Sequence, residues 1–270
     1  MQPVAERVSI CGLDTEMRIC GEGRPLLYLH SGDGIKRELD FISKLSALGR
    51  VYAPSHPGFG TSERPDDFKT VEDIAYFYLD FIKQSGLTDI TLMGSSFGGW
   101  IACEMAVRAT ECLRNIVLID TVGARFSDRD TPDIADIYMM PDADRLSRSF
   151  CNPDAGRLDI ANSTDGDLIE VSRNRIALCQ YAWSPYMNNP RLKRWLHRID
   201  RPTLLIWGAQ DQIVSPDYGR CFAAGIPGAK FALVEQAGHF PQVEQGEGVL
   251  RLVSSFVANE AGTAATLVDA

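Results

Sequence analysis

Residues 94–99 read Gly-Ser-Ser-Phe-Gly-Gly, and they follow a continuously apolar run at residues 90–93. A G-x-S-x-G sequence between a strand and a helix forces the chain through a sharp turn. Small residues are needed on either side of the central serine because the turn packs backbone against backbone. Such a turn predicts that Ser96, rather than Ser95, projects its hydroxyl from the edge of a sheet, near the positive end of the following helix.

Apolar runs of the same kind recur along the chain and alternate with amphipathic segments. Continuous apolarity is expected of strands buried on both faces of a parallel sheet. The runs lie at residues 25–29, 90–93, 115–119, 203–207 and 231–234, and the helix-like segments at residues 36–48, 71–84, 97–113 and 249–258. Residues 8–13 and 15–20, separated by Asp14, are predicted to form an antiparallel hairpin. The alternation predicts an α/β fold with a doubly wound, mostly parallel sheet.

Residues 124–198 interrupt this alternation. They contain no strand-like apolar run, although residues 134–140 and 168–183 are helix-like. We interpret them as a helical insertion that covers the ends of the strands as a lid. The predicted organisation is therefore a core of residues 1–123 and 199–270 with a cap of residues 124–198, and the weakly patterned stretch after about residue 260 is expected to be a frayed tail.

Composition excludes several classes of function. The formal net charge of −9 argues against a nucleic-acid partner, and the basic cluster at residues 191–201 is interpreted as a solvated helix face. Neither a secretory signal nor an apolar stretch of spanning length is visible, so we expect no membrane partner. The seven cysteines include no C-x-x-C pair, which favours reduced thiols in a cytoplasmic protein over disulfides or a zinc site. The oligomeric state is left open.

A serine nucleophile needs a base, because its hydroxyl is unreactive at neutral pH. Of the four histidines, His30 ends an apolar run, His56 lies in a Pro-Gly loop and His197 lies in the insertion. His239 follows the last apolar run directly, and such loops carry the working groups of doubly wound sheets. It also completes the chain order of serine, acid and histidine. We therefore predict His239 as the general base.

The orienting acid has two candidates. Asp211 follows the apolar run at residues 203–207 through a short loop, and its alternative role is that of a turn residue. Asp120, at the end of the run at residues 115–119, could also reach the histidine. Asp211 is favoured because it completes the strand–loop–acid pattern nearest in sequence to His239.

Acyl transfer further requires two backbone donors for the developing oxyanion. The N–H of Phe97 supplies one from the turn at residues 94–99. The other is expected from residues 30–34, where we predict Gly32 because a glycine lets the backbone approach the substrate oxygen closely. A plain tight turn remains the alternative there.

Together these motifs resemble the α/β-hydrolase superfamily over about residues 8–258. The matching stretches are residues 30–34, 57–62, 94–99, 207–211 and 238–239. The resemblance implies Ser96, Asp211 and His239 as a catalytic triad and residues 124–198 as a cap domain. At Ser31 the chain departs from the superfamily pattern, in which a glycine is common at this position. This departure leaves open which backbone N–H is the second oxyanion donor.

Three functions fit this pattern. The first is a serine hydrolase that forms an acyl-enzyme with a small apolar or aromatic carboxylic ester, without a metal or cofactor. The second is hydrolysis of a carbon–carbon bond in a meta-cleavage product, for which Arg175, or Arg173, would hold the substrate carboxylate. The third is a non-catalytic protein that binds a small ligand on the same fold. Trp183 and Phe240 are further candidate substrate contacts, and Phe240 stands where the carbon–carbon hydrolases often carry tryptophan.

Overall fold

The computed structural model describes residues 3–128 and 130–259. Its strands are β1 (Val4–Ile10), β2 (Leu13–Cys20), β3 (Pro25–Leu29), β4 (Arg50–Pro54), β5 (Ile90–Ser95), β6 (Leu113–Ile119), β7 (Thr203–Gly208) and β8 (Lys230–Val234). They form one sheet in the order β1-β2-β4-β3-β5-β6-β7-β8. The β1–β2 and β2–β4 pairs are antiparallel, and every other neighbouring pair is parallel. The predicted mostly parallel sheet is confirmed.

Helices cover both faces of this sheet. They are α1 (Leu39–Leu45), α2 (Val71–Ser85), α3 (Phe97–Ala106), α4 (Asp142–Ser149), α5 (Asp165–Ala182), α6 (Leu192–Trp195), α7 (Pro216–Gly225), α8 (Pro241–Glu244) and α9 (Gly246–Asn259), with 3₁₀ turns at Ile35–Glu38, Pro153–Gly156, Ile160–Asn162 and Leu196–Arg198. One apolar core joins the sheet to α2, α3 and α7, and a second joins it to α1 and α9. The doubly wound arrangement is therefore present.

Alternating side chains of the central strands explain why these strands are apolar throughout. In β3, Leu27 and Leu29 pack in the core with α2 and α3, whereas Leu26 and Tyr28 pack in the core with α1 and α9. Successive side chains of a strand point to opposite faces, so a strand covered on both faces needs apolar residues at every position.

The hairpin turn, strand β4 and the end of helix α3 differ from what the sequence predicted. The turn between β1 and β2 lies at Cys11 and Gly12, not at Asp14, because both residues have positive φ (51° and 86°), as a tight hairpin turn requires. Strand β4, which the apolar pattern did not reveal, carries an exposed Arg50 and ends in a proline. Helix α3 stops at Ala106, seven residues before its predicted end at residue 113, where β6 already begins.

Between β6 and β7, the described residues form helices α4, α5 and α6. Residues 165–182 match one predicted helix closely, but the helix predicted at residues 134–140 is absent. Instead, Ile134 forms an isolated bridge with Val214, and the Asp136 carboxylate accepts hydrogen bonds from the N–H groups of Tyr138 and Met139. An aspartate that bonds to nearby backbone in this way competes with helix formation. The cap of residues 124–198, as a structural unit with these boundaries, stays a prediction.

Two further expectations concern the chain as a whole. Among the helices built from residues 3–128 and 130–259, none combines the length and apolarity needed to cross a bilayer. The predicted tail after residue 260 lies outside the described residues.

The strand order creates a crevice at the carboxyl edge of the sheet. From β3 the chain moves outward to β4, and from β5 it proceeds in the opposite direction to β8. The loops that leave β3 and β5 therefore turn to opposite faces, towards α1 and α3. Crevices at such a reversal are where open α/β sheets bind their ligands.

Candidate active site

The turn between β5 and α3 holds Ser96 in a strained conformation at this crevice. Ser96 has φ 51° and ψ −112°, which is unusual for a residue with a side chain, and its N–H donates to Ile119 O at 2.8 Å. A Cβ on Gly98 would lie 2.1 Å from Leu29 O, so the turn presses against β3 and needs glycine there. The structure places the Ser96 hydroxyl where the sequence predicted it.

The neighbouring Ser95 is engaged elsewhere. Its side chain is fully buried, and its Oγ accepts a hydrogen bond from Gln242 Nε2 at 2.8 Å. Ser95 therefore belongs to the packing beneath the turn, whereas Ser96 remains 9% exposed and faces the crevice.

His239 lies within hydrogen-bond distance of both Ser96 and Asp211. His239 Nε2 is 2.8 Å from Ser96 Oγ, and His239 Nδ1 is 2.8 Å from Asp211 Oδ2. The His239 backbone N–H donates to Ser149 O at 2.7 Å, which holds the loop after β8 against α4. The three predicted residues are thus brought together in the order serine, histidine, acid.

Asp211 is itself fixed by its own loop. Asp211 Oδ1 accepts the N–H groups of Ile213 at 2.7 Å and Val214 at 3.1 Å, and this leaves Oδ2 for the histidine. A carboxylate bound to Nδ1 keeps the proton on that nitrogen and leaves Nε2 free to accept the Ser96 proton.

Asp120, the rival acid, lies behind Asp211. It is fully buried, and its Oδ1 accepts the N–H of Gly208 at 3.0 Å. Burial, together with the nearby Asp211 carboxylate, raises the pKa of Asp120 well above its usual range. The carboxylate in contact with the histidine is Asp211, and the raised pKa of Asp120 favours its uncharged form beside that carboxylate.

Among the described residues, ligand atoms of Asp120, Asp211 and His239 lie within 4.8 Å of one another, which is close enough for the three groups to hold a metal ion. The hydrogen bonds of Asp211 and His239 already use the atoms that would face an ion. The arrangement is that of a proton relay.

Residues 30–34, here called the oxyanion loop, present Gly32 beside the serine. Ser31 O is 3.1 Å from Gly34 N and 2.7 Å from His30 Nδ1. His30 Nε2 accepts the N–H of His56, so Nδ1 carries the proton and donates to Ser31 O. The Ser31 carbonyl and the Gly32 N–H belong to one planar peptide, so fixing the carbonyl aims the N–H in the opposite direction.

The departure at Ser31 does not remove this donor. The Ser31 N–H is occupied by Glu38 Oε1 at 3.2 Å. The Gly32 N–H makes no hydrogen bond to another described residue, and the N–H of Phe97, at the first position of α3, makes none either. Gly32, Ser96, Phe97 and His239 all border the same cavity.

That cavity has a volume of about 40 Å³, and most of its walls are apolar. The remaining lining residues are Asp33, Val122, Ile134, Ile137, Arg145, Ser149, Leu178, Met187, Ile213 and Phe240. Phe240, a predicted substrate contact, lines this cavity, and it stacks on Phe150 with ring centroids 5.0 Å apart.

Two predicted substrate contacts lie outside the cavity. Arg175 is 52% exposed and pairs with Asp142 at 2.9 Å, and Trp183 is 55% exposed against Tyr138. Helix α5 directs Leu178 into the cavity, whereas the Arg175 side chain extends outward to the exposed Asp142. Arg173 also points elsewhere, since it donates to Ser62 O at 3.3 Å.

Sequence reasoning missed the arginine that does line the cavity. Arg145 lies on α4, has a side chain only 15% exposed, and is 3.4 Å from Asp142 and 4.0 Å from Asp33. A signal was present in the sequence, because Pro141 followed by Asp142 and Asp144 is typical of the start of a helix.

Comparisons with known proteins agree with this fold. Residues 25–245 match the model of the alpha/beta hydrolase fold family. A 2-hydroxymuconate semialdehyde hydrolase of a Pseudomonas species is 27% identical, over 97% of this chain and 96% of the relative. A pimeloyl-[acyl-carrier protein] methyl ester esterase of Neisseria meningitidis is 24% identical, over 86% of this chain and 76% of the relative. The solved meta-cleavage product hydrolase from Pseudomonas fluorescens has a TM-score of 0.77 at 22% identity, covering 95% of this chain and 98% of that one.

Proposed function

The chain belongs to the alpha/beta hydrolase fold family, and from that premise we propose that it is a serine hydrolase that forms an acyl-enzyme on Ser96. Its relatives include a 2-hydroxymuconate semialdehyde hydrolase and a methyl ester esterase. The observation that carries the proposal is the pair of 2.8 Å contacts that His239 makes with Ser96 and Asp211. The complete relay of Ser96, His239 and Asp211 also argues against a protein that only binds a ligand, because binding alone does not require such a relay.

The proposed reaction begins when His239 Nε2 accepts the Ser96 proton as Oγ attacks the substrate carbonyl. The N–H groups of Phe97 and Gly32 hold the oxyanion that develops, and the imidazolium then protonates the leaving group. A water activated by the same histidine cleaves the acyl-enzyme. Asp211 stabilises the imidazolium and keeps its orientation.

The walls of the cavity favour an apolar substrate. Val122, Ile134, Leu178 and Met187 surround the space next to Ser96. An apolar or aromatic group buried there gains about 25 cal/mol for each Å² removed from water. A small carboxylic ester with such a group is therefore the substrate class that we propose first.

A second candidate is hydrolysis of a carbon–carbon bond, and Arg145 favours it. Arg145 lines the cavity, and its guanidinium lies 3.4 Å from Asp142 and 4.0 Å from Asp33, so it could exchange these partners for a substrate carboxylate. The names of several relatives refer to hydrolases of 2-hydroxymuconate semialdehyde and 2-hydroxy-6-oxo-2,4-heptadienoate. In this alternative the same triad acts on a vinylogous diketone that carries a carboxylate.

Parallel measurement of kcat/KM for an uncharged p-nitrophenyl ester and for a carboxylate-bearing dienoate tests these proposals. Ester cleavage that equals or exceeds dienoate cleavage supports the first proposal, and the reverse supports the second. Activity on neither substrate, in protein that is folded, contradicts the proposed function.

The chain offers a matched pair of variants for the second candidate, because both Arg145 and Arg175 pair with Asp142. If Arg145 binds the carboxylate, Arg145→Gln lowers kcat/KM for the dienoate by at least about tenfold, or 1.4 kcal/mol, and spares the neutral ester. Arg175→Gln, outside the cavity, is expected to change neither rate by as much as tenfold. Equal effects of the two variants would remove the support that Arg145 lends to this candidate.

A further inference from the structure

One side chain of helix α5 joins the oxyanion loop to a second loop of the core. Asn174 is 4% exposed, its Nδ2 donates to Asp33 O at 3.1 Å, and its Oδ1 accepts the N–H of Gly60 at 2.8 Å. Both partners are backbone atoms, so the amide fixes the course of the chain at each point.

The oxyanion loop is shaped around this amide. Gly34 has φ +91°, and a Cβ there would lie 2.1 Å from Asn174 Nδ2. Leu178, one helical turn further along α5, covers Gly32, where a Cβ would lie 2.6 Å from Leu178 Cδ2. Two successive turns of α5 therefore rest on the two glycines of the loop.

From the opposite side, the loop is held by the core. Ser31 N donates to the buried Glu38 carboxylate at 3.2 Å, and Glu38 Oε2 accepts from Tyr28 Oη at 2.8 Å. Gly32 thus lies between Ser31, which is bound to the core, and Asp33, which is bound to α5. The Gly32 N–H shares a peptide with Ser31 O, which accepts from His30 Nδ1 and from Gly34 N, and Gly34 N shares a peptide with Asp33 O, the acceptor of Asn174 Nδ2. The direction of the Gly32 N–H therefore depends on Asn174 through the Asp33–Gly34 peptide.

We propose that Asn174 is a positioning residue that aligns the Gly32 N–H with the oxyanion, which makes the seating of α5 on the core a condition for turnover. The proposal rests on the acyl-enzyme chemistry proposed above for Ser96. An oxyanion donor acts on the charge that develops in the transition state, and misalignment of such a donor lowers kcat while the substrate still binds.

The test compares Asn174→Ala and Asn174→Asp with Asn189→Ala. Asn189 is a matched control because its Nδ2 also reaches the core, at Glu72 and Glu104, but away from the oxyanion loop. Asn174→Asp keeps the acceptor for Gly60 N and loses the donor to Asp33 O, so it remains informative if the alanine variant folds poorly.

For both Asn174 variants, we expect kcat to fall by about 10- to 100-fold with KM changed by less than about threefold, since removal of a whole oxyanion donor costs about 10²–10³. A boronic acid, whose adduct with Ser96 mimics the tetrahedral intermediate, is expected to lose affinity by the same factor as kcat/KM. Asn189→Ala is expected to lower the melting temperature and leave kcat unchanged.

Three results would overturn the proposal: unchanged kcat in folded Asn174→Asp protein, a rise in KM alone, or an equal loss of kcat in Asn189→Ala. Each of these requires an active wild-type enzyme. They are therefore distinct from failure of the proposed function, which appears as a wild-type protein that neither hydrolyses the substrates nor binds the boronic acid.

Discussion

Replacing Asp211 by asparagine tests the relay at its most constrained point. Asp211 Oδ1 accepts the N–H groups of Ile213 and Val214 at 2.7 Å and 3.1 Å. In Asp211→Asn the amide oxygen must face these donors, because the opposite orientation leaves buried N–H groups unpaired at a cost of about 1–3 kcal/mol each. The amide NH₂ then faces His239 Nδ1, and the histidine is forced to carry its proton on Nε2.

A histidine protonated on Nε2 cannot accept the Ser96 proton. We therefore expect kcat for a p-nitrophenyl ester to fall by about 10³–10⁴, the loss seen for the corresponding change in a serine protease. This corresponds to about 4–5.5 kcal/mol in the activation barrier. The assay is steady-state hydrolysis, with circular dichroism and urea unfolding to show that the variant remains folded.

Asp120→Asn is the matched control. Asp120 is buried, and burial beside the Asp211 carboxylate raises its pKa, which favours the uncharged form that an amide of the same shape mimics. Its oxygen can still accept the Gly208 N–H. The expected loss of kcat is less than about tenfold. A larger loss for Asp120→Asn than for Asp211→Asn would refute the assignment of Asp211 as the orienting acid.

Three further predictions concern the surroundings of the site. Gly98→Ala is expected to lower the free energy of unfolding by about 1–3 kcal/mol, measured in urea, because the added Cβ meets Leu29 O at 2.1 Å; wild-type stability would show that the turn is not so tightly packed. Phe240→Ala, which removes a ring stacked on Phe150, should cost about 3–5 kcal/mol of stability and raise KM for aryl esters, whereas an unchanged KM would place the substrate elsewhere. Burial raises the pKa of Glu38 to about 7, so in wild-type protein the folded state binds a proton that the unfolded state has lost, and stability falls as pH rises from about 4.5 to 7. Glutamine does not titrate, so the unfolding free energy of Glu38→Gln is expected to rise relative to that of wild type by up to about 3 kcal/mol as pH increases from about 4.5 to 7. A difference between variant and wild type that stays the same over this pH range would contradict the raised pKa.

The parts of the fold that sequence predicted well are those where one local requirement decides the structure. The strands buried on both faces are apolar at every position, and the turn at Ser96 needs glycine where the backbone meets β3. Ser96, Asp211 and His239 were predictable because each follows its own strand, and parallel strands bring their carboxyl ends to one edge of the sheet.

The parts that sequence missed depend on contacts between distant segments. Strand β4 is short and is recognisable mainly by its pairing with β2 and β3. Residues 134–140 contact the core through the bridge between Ile134 and Val214, which no local sequence pattern predicts. The sequence pointed to Arg175 as the arginine next to the substrate, whereas Arg145 is the arginine that lines the cavity, and this difference has the same origin. Both arginines pair with Asp142, and only the packing of α4 and α5 decides which of them faces the cavity.

Site-specific labelling tests the central claim, that Ser96 is the nucleophile, most directly. Treatment with a fluorophosphonate probe followed by peptide mass spectrometry is predicted to find a single adduct, on Ser96, because within residues 3–128 and 130–259 this is the hydroxyl that lies 2.8 Å from His239 Nε2. Ser96→Ala is predicted to abolish labelling, whereas Ser95→Ala, whose hydroxyl is bound to Gln242, is predicted to retain it. An adduct on Ser95, or hydrolysis that persists in Ser96→Ala, would contradict the account.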